Sequence, residues 1–222
     1  MRKIIGAVFV SLDGVMQGPG GPEEDRSGGF EHGGWLPQFW DDQSDEGLGT
    51  LFAGPFDLLL GRRTYDIFAA YWPFVTGEAK AIGDAFDRAG KYVLTGADQP
   101  LDWANSHRLD GIDAVAALRR SAGPDLIIQG SGTLYPQLLG AGLLDRLVLR
   151  TFPVILGSGK RWFDGDMAAG AMRMTQHQVT PGGNIIATYE PAGPVEAGAS
   201  FATDPPTEAE LARRRKVDEG TW

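Results

Sequence analysis

Two apolar runs that each end at a glycine constrain the fold of this chain most strongly. The first lies in Asp57–Tyr65, which reads DLLLGRRTY, and the second in Asp125–Tyr135, which reads DLIIQGSGTLY. Each pattern predicts a buried strand that stops at a glycine and leads into a helix. A helix start after a strand favours phosphate binding, because its N–H groups are unpaired and glycine lets a ligand approach the backbone. Two such junctions predict one elongated ligand with several phosphates, such as a dinucleotide.

The order of the predicted elements indicates an α/β fold. Strands are expected at residues 3–10, 57–60, 91–95 and 125–129, and helices at 64–70, 78–89, 112–121 and 132–140, with a weaker helical pattern over 35–52. A long apolar strand over 143–153 follows, and then two strands, 171–180 and 184–190, that are joined by Pro181-Gly182-Gly183. This order predicts a mainly parallel central sheet with helices on both faces and a C-terminal antiparallel hairpin.

A change in composition near residue 190 predicts the domain boundary. Residues 1–190 are expected to form the folded domain. Beyond them the chain becomes rich in Ala, Gly, Pro and Thr, and then carries the charged segment Glu208–Lys216. With so little apolar content, residues 191–222 are predicted to be either a flexible extension or a segment that docks on a partner.

Composition excludes several classes of function. The chain contains no cysteine, and no two of its three histidines have metal-ligand spacing, so no metal site is expected. A net charge of −9 argues against binding to nucleic acid. No apolar run is long enough for a membrane span, and Met1–Val10 is interpreted as the first strand rather than a signal peptide. We therefore expect a cytoplasmic protein without a membrane partner.

A glycine-rich segment over residues 11–34 follows the first predicted strand. Long loops without secondary structure are often functional. We expect residues 17–34 to close over the bound ligand as a lid.

The two junctions and three further segments resemble a known superfamily. Gly61–Tyr65 is similar to the Gly-Arg-x-Thr-aromatic junction of dihydrofolate reductase-like proteins, and Gly130–Tyr135 is similar to their second glycine motif. Residues 11–14, 143–147 and 153–159 resemble one branch, the C-terminal reductase domain of the bifunctional riboflavin-biosynthesis deaminase–reductase. The resemblance covers residues 2–190 and depends on the order and spacing of motifs that are weak individually.

The resemblance implies an NADPH-dependent reductase with a dihydrofolate reductase-like fold. The first junction would contact the phosphates, and a residue at the end of the third strand would begin the adenosine pocket. The second junction would form a further cradle near the nicotinamide. The implied cofactor-binding residues are Gly61, Arg62, Arg63, Thr64, Thr95, Gly130, Ser131, Gly132, Thr133 and Leu134. Independently of the resemblance, arginine suits phosphate through paired donors, and Thr64 is placed to cap its helix and bind a phosphate oxygen.

The catalytic acid of dihydrofolate reductases has no secure counterpart in this sequence. Alignment on Leu36-Pro37 places Phe39 at the acidic position, whereas counting back from Gly61 places Asp45 there. Asp41, Asp42 and Asp45 are therefore candidates, but a solvated acidic helix face is the favoured interpretation. Asp13, at the end of the first strand, either orients substrate or stabilises a turn.

Aromatic residues and one glutamine are the candidates for substrate binding. Trp35, Phe39 and Trp72 would stack on a flat heterocycle, or they are ordinary core residues. The strand before the second junction commonly ends in glutamate in the riboflavin-type branch, but here it ends in Gln129. This change removes a charge from the substrate side and argues against efficient reduction of the riboflavin intermediate.

The leading functional hypothesis is reduction of a small planar heterocycle by NADPH, resembling 5-amino-6-(5-phosphoribosylamino)uracil reductase. One alternative is a pterin or dihydrofolate reductase, which requires a buried carboxylate. Another is a nucleotide-binding module without turnover. We also expect a homodimer, paired or packed through residues 143–153 and the terminal hairpin.

Overall fold

An eight-stranded sheet forms the centre of the computed structural model, which describes all residues except 164, 166, 197, 199–200, 202–203 and 222. The strand order is β4-β3-β2-β5-β1-β6-β8-β7, and all neighbours from β4 to β6 are parallel. The last two strands are antiparallel, which confirms the predicted hairpin. The strands are β1 (Ile4–Ser11), β2 (Phe56–Gly61), β3 (Lys91–Leu94), β4 (Ser106–Leu109), β5 (Asp125–Gln129), β6 (Arg146–Phe152), β7 (Ala171–Val179) and β8 (Ile185–Gly193).

Helices cover both faces of the sheet, as the sequence predicted. Leu58 and Leu60 of β2 pack on one face with Tyr65 and Phe86, whereas Leu59 packs on the other face. Period-two alternation of this kind places one apolar layer on each side of the strands. The helices are α1 (Asp42–Leu51), α2 (Arg62–Tyr71), α3 (Lys80–Arg88), α4 (Ile112–Arg120), α5 (Leu134–Gly140) and α6 (Glu208–Asp218).

Three elements differ from the prediction. The weak helical pattern over 35–52 becomes a 3-10 turn at Pro37–Phe39 and a helix that begins only at Asp42. Strand β4, which reads SHRL, was not predicted, because it is short and polar and pairs with β3 at the edge of the sheet. Strand β6 begins three residues later than predicted.

The segment between β1 and α1 is folded around the side chain of Gln17. Its Nε2 donates to the carbonyls of Asp25 and Ser27, and its Oε1 accepts from the Lys160 backbone N–H at 2.9 Å. The Lys160 ammonium in turn binds Asp25 at 2.6 Å. Residues 12–35, which we call the β1–α1 loop, are therefore fastened to the chain that follows β6.

The sheet ends three residues beyond residue 190. Strand β8 continues to Gly193, which is paired with Ala171 of β7. Beyond it, helix α6 is capped by the Thr207 hydroxyl, which accepts from the Glu210 N–H, and Glu210 binds Arg213 and Arg214. Within the described residues, no helix has the length and apolar character needed to cross a membrane.

Candidate functional site

The two glycine junctions meet at one edge of the sheet. Strands β2 and β5 are parallel neighbours, so their C-terminal ends lie side by side. The backbone N–H of Gly61 donates to the Ser131 hydroxyl at 2.9 Å, and the Ser131 N–H donates to the Thr64 hydroxyl at 3.1 Å. This reciprocal pair of hydrogen bonds fixes each junction relative to the other. The crevice at the C-terminal ends of parallel strands is where α/β proteins bind their ligands.

The second junction has left-handed backbone at two consecutive residues, only one of which is a glycine. Gly130 has φ +74° and Ser131 has φ +52°. A Cβ at Gly132 would lie 2.8 Å from the sulfur of Met16, so the β1–α1 loop touches this junction directly. Thr133 is exposed beside it, and Leu134 is buried at the start of α5. The five predicted residues of this junction, 130–134, are consecutive, and Met16 of the β1–α1 loop packs closely against them at Gly132.

The start of α2 is open to an anion. Gly61 precedes the helix and offers no side chain, and no side chain caps the helix. The expectation that Thr64 caps it is wrong, because the helix begins at Arg62 and the threonine hydroxyl instead binds Ser131. The first N–H groups of a helix have no partner within the helix, and this end carries the positive end of the dipole.

Arg62 is oriented along this edge. Its guanidinium binds the Asp66 carboxylate at 2.9 Å and the Gln99 carbonyl at 2.9 Å, and the bonds to Asp66 raise its pKa. Arg108 of β4 donates to the same Gln99 carbonyl. Arg63 is exposed on the first turn of α2. Arg108 was missed by sequence reasoning, because the strand that carries it was not predicted.

A cleft of about 440 Å³ lies at the ends of β3 and β4. It is lined by Leu94, Thr95, Gly96, Asp110, Gly111 and Gln137. Thr95 is buried, and its hydroxyl accepts from the Ala97 N–H at 3.0 Å. The residue predicted to begin an adenosine pocket therefore stands at a real cleft at the same edge of the sheet.

The Asp13 carboxylate is held by many donors. It accepts from the Ser11 hydroxyl at 2.6 Å, from the Leu156 and Gly157 N–H groups, and from the Arg161 guanidinium. These hydrogen bonds, with that of Ser11 the largest influence, lower its pKa to about 2. The carboxylate is therefore ionised at neutral pH, and its hydrogen bonds connect the turn after β1 to residues 156–157.

Asp41 and Asp45 lie at the start of α1. Asp41 accepts from Ser44 and from the Gly182 N–H of the hairpin, and hydrogen bonds from Thr180 and Ser44 lower its pKa to about 2. Asp45 is exposed, and its carboxylate accepts from the Trp40 indole at 2.7 Å. None of the predicted aspartates is a buried carboxylic acid.

The predicted aromatic residues divide between two clusters. Trp35 is buried, packs edge-on against Phe152 at 5.7 Å and donates to the Gln17 carbonyl, and Phe39 lies in the same cluster. Trp72 packs instead against Phe86 at 4.8 Å, in the cluster beneath α2 and α3. The structure thus groups Trp35 with Phe39 but separates Trp72 from them.

Two polar side chains lie on the same sheet face on either side of β1. Gln129 is in register with Ala7, and Arg150 of β6 is in register with Phe9, two residues further along the strand. The Oε1 of Gln129, and the Nε and Nη2 of Arg150, are buried and have no hydrogen-bond partner among the described residues. Arg150 was missed, although a charged residue within the apolar run 143–153 was a visible signal.

Most of the chain is similar in sequence to known proteins. A sequence model of the RibD C-terminal domain matches residues 2–187. The chain is also similar to the uncharacterized protein YyaP of Bacillus subtilis, with 27% identity over 166 residues that cover 73% of this chain and 80% of YyaP.

Solved structures share the fold at low sequence identity. A protein from Shewanella sp. PV-4 assigned to riboflavin biosynthesis superposes with a TM-score of 0.62 at 18% identity, covering 86% of this chain and 99% of that one. Dihydrofolate reductase from Enterococcus faecalis, solved with NADP(H) and the compound RAB-propyl, gives a TM-score of 0.53 at 16% identity, covering 85% and 96%. These likenesses show a dihydrofolate reductase-like fold.

Proposed function

The chain belongs to the family of the RibD C-terminal domain, and we propose that it is an NADPH-dependent reductase of a small planar heterocycle. Family and fold support a reductase of the riboflavin-pathway type. The observation that carries the proposal is the reciprocal hydrogen bonding of the two glycine junctions, which builds one continuous cradle beside an oriented arginine.

The residues at the edge of the sheet fit the parts of NADPH. The open start of α2, with Arg62 and Arg63, suits phosphate oxygens. The cleft beside Thr95 suits the adenosine. The backbone of residues 130–133 suits close approach by the pyrophosphate. When bound there, the cofactor supplies the hydride.

The protein's own residues would bind and orient the substrate, and solvent would deliver the proton. In this proposal Trp35, which donates to the Gln17 carbonyl, and the β1–α1 loop would close one side of the site, and Gln129, in register with Ala7, would lie on its floor. Asp13 and Asp41 are ionised at neutral pH, so neither is a proton donor in the structure as it stands. We propose a water beside the exposed carboxylate of Asp45 as the proton source.

Two measurements test the proposal. NADPH is expected to raise the melting temperature of the protein, and NADPH absorbance is expected to fall when a panel of planar heterocycles is added. The absence of any stabilisation by NADPH would contradict the assignment of the cradle.

One specific observation favours a nucleotide-binding module as the second candidate. None of the candidate aspartates is a buried acid, which also argues against a pterin or dihydrofolate reductase. Stabilisation by NADPH without oxidation of NADPH by any substrate in the panel would favour the binding module. Turnover of dihydrofolate would favour the pterin-type enzyme.

We also propose a homodimer built on the C-terminal part of the sheet. Strand β7 is an edge strand, and large apolar side chains of β7 and β8 are exposed, namely Met172, Met174, Val179 and Ile185. An exposed edge with apolar side chains is a favourable pairing surface. Light scattering is expected to give twice the mass of the chain, and a monomer would exclude this assembly.

A further inference from the structure

Arg150 is a charged residue in the interior. Its side chain is only 1% exposed, and its guanidinium lies 5.8 Å from the ring centre of Phe9 and 5.9 Å from that of Trp40. One nitrogen, Nη1, donates to the Ser44 carbonyl of α1 at 2.8 Å. Burial lowers its pKa to about 10, which leaves the group protonated at neutral pH.

The remaining donors of Arg150 are unused. Nε and Nη2 have no hydrogen-bond partner among the described residues, and no carboxylate among them forms an ion pair with the guanidinium. Asp45 favours the charge only at longer range and is itself exposed. A buried charge without a partner is costly, so its presence calls for a compensating group.

A glycine lets α1 pack directly against the unused donors. A Cβ at Gly47, on the α1 turn that faces β6, would lie 3.0 Å from Nη2 of Arg150. Any larger residue would therefore press on the guanidinium. Trp40, which covers the group, is half-buried, and its indole binds the exposed Asp45 rather than a core residue. Access of a planar molecule to Arg150 would therefore require displacement of the half-buried Trp40 side chain.

The floor of the site has a definite polarity. Gln129 presents an unused acceptor on one side of β1, and Arg150 presents unused donors and a positive charge on the other. Because β5 and β6 lie on either side of β1, strand spacing puts them about 10 Å apart. A ring whose edge carries amino groups finds no carboxylate there, whereas a ring with an oxygen-rich edge finds a guanidinium.

We propose that Arg150 binds the oxygen-bearing edge of the substrate, and that the substrate is a planar ring with a carboxylate or acidic carbonyl edge. This inference rests on the proposed function, because it assumes that the pocket beside the cofactor cradle takes the substrate. It adds a specificity residue and names the chemical class that this residue selects.

The test compares two ring probes on protein saturated with NADP⁺, which prevents turnover. Calorimetry measures binding of uracil-6-carboxylate and of 2,4-diaminopyrimidine to the wild type. We expect the carboxylate to bind and the diamine to bind at least tenfold more weakly. Arg150→Met is expected to weaken binding of the carboxylate about 10- to 100-fold, because charge-assisted hydrogen bonds are lost. Arg146→Met, on the same strand and face but partly exposed, is the matched control and leaves binding unchanged.

Stability distinguishes ligand binding from a structural role. Removing a buried charge without a partner is expected to leave the melting temperature of Arg150→Met unchanged or higher. Gly47→Ala keeps the arginine but fills the space beside it, and is expected to weaken binding of the carboxylate without lowering the melting temperature.

Each contrary outcome is readable. A large fall in the melting temperature of Arg150→Met, equal binding of both probes, or equal effects of Arg150→Met and Arg146→Met would overturn the inference. If NADP⁺ stabilises the protein while these results fail, only the role of Arg150 is lost. If NADP⁺ itself does not stabilise the protein, the proposed function is lost as well.

Discussion

The hydroxyl and the backbone N–H of Ser131 connect the two glycine junctions. The hydroxyl is the acceptor for Gly61, and the N–H is the donor to Thr64. Because Ser131 is buried, removal of its oxygen leaves the Gly61 N–H without a partner. The residue therefore links stability to the shape of the binding site.

Ser131→Ala is expected to lower the free energy of unfolding by about 1–3 kcal/mol, the cost of one unsatisfied buried donor. NADPH binding should weaken as well, because the two junctions are no longer held together. Chemical denaturation and calorimetry measure the two effects. Ser121→Ala, at an exposed serine that binds only nearby carbonyls, is the control. Equal effects of the two substitutions would show that the link contributes nothing.

Asp13 makes the stability of the fold depend on pH. Its pKa is about 2 in the folded protein against 3.8 normally, so the unfolded chain binds more protons between these values. The stabilisation is complete above about pH 4 and is lost as the pH falls towards 2. Asp13→Asn is therefore expected to flatten this acid limb in melting experiments from pH 2 to 6, whereas Asp110→Asn, at an exposed residue, should retain it. An unchanged limb in Asp13→Asn would contradict this assignment.

At the scale of elements, the β1–α1 loop depends on Gln17, which is 4% exposed and bonded at both ends of its amide. Its hydrogen bonds reach two carbonyls of the loop and the backbone at Lys160. The predicted role of residues 17–34 as a lid would require these hydrogen bonds to break and re-form.

Gln17→Ala is expected to loosen the loop far more than the rest of the fold. Proteolysis and amide exchange within residues 18–34 should become faster, while the sheet keeps its protection. Gln38→Ala, which removes one hydrogen bond from an exposed side chain to the Trp35 carbonyl, is the control. Uniform loss of protection across the chain would show that the loop does not move as a separate unit.

The sequence predicts an element well when its signal is local. Strands β2 and β5 follow from apolar runs ended by glycine, and the hairpin follows from Pro181-Gly182-Gly183. Helix α1 begins at Asp42 because the Asp41 side chain caps it and also binds Gly182, which is 141 residues away. The capping bond from Ser44 to Asp41 is local, but no local pattern contains the contact with Gly182.

The candidate site was likewise predictable only where its residues form local sequence motifs. Its glycines and Arg62 lie in contiguous motifs, whereas Arg150 is buried only because Gly47 and Trp40 from another part of the chain cover it. The pKa of Asp13 is lowered most by the nearby Ser11 hydroxyl, and further by the Leu156 and Gly157 N–H groups, which no sequence spacing connects to it. Tertiary contacts therefore decide which polar residues are available for chemistry.

At the scale of the whole molecule, the pairing of Gly193 with Ala171 places the end of the sheet at residue 193 rather than 190. A chain that ends at Gly193 is expected to keep its melting temperature and its affinity for NADPH. A chain that ends at Glu190 loses the pairing of Pro191 and Gly193 and should melt lower. Calorimetry on the three lengths tests this, and a drop for the chain ending at 193 would show that residues 194–222 support the fold.

The hydrogen bond between Gly61 and Ser131 joins residues 70 positions apart, and strands β3 and β4 are made between them. The contact therefore closes a long loop, which is a slow step in folding. During synthesis, a ribosome must release more than half of the chain before this contact can form. If the proposed function holds, a nascent chain can bind a dinucleotide only after its central strands are complete, and an arrested, shorter chain would show no such binding.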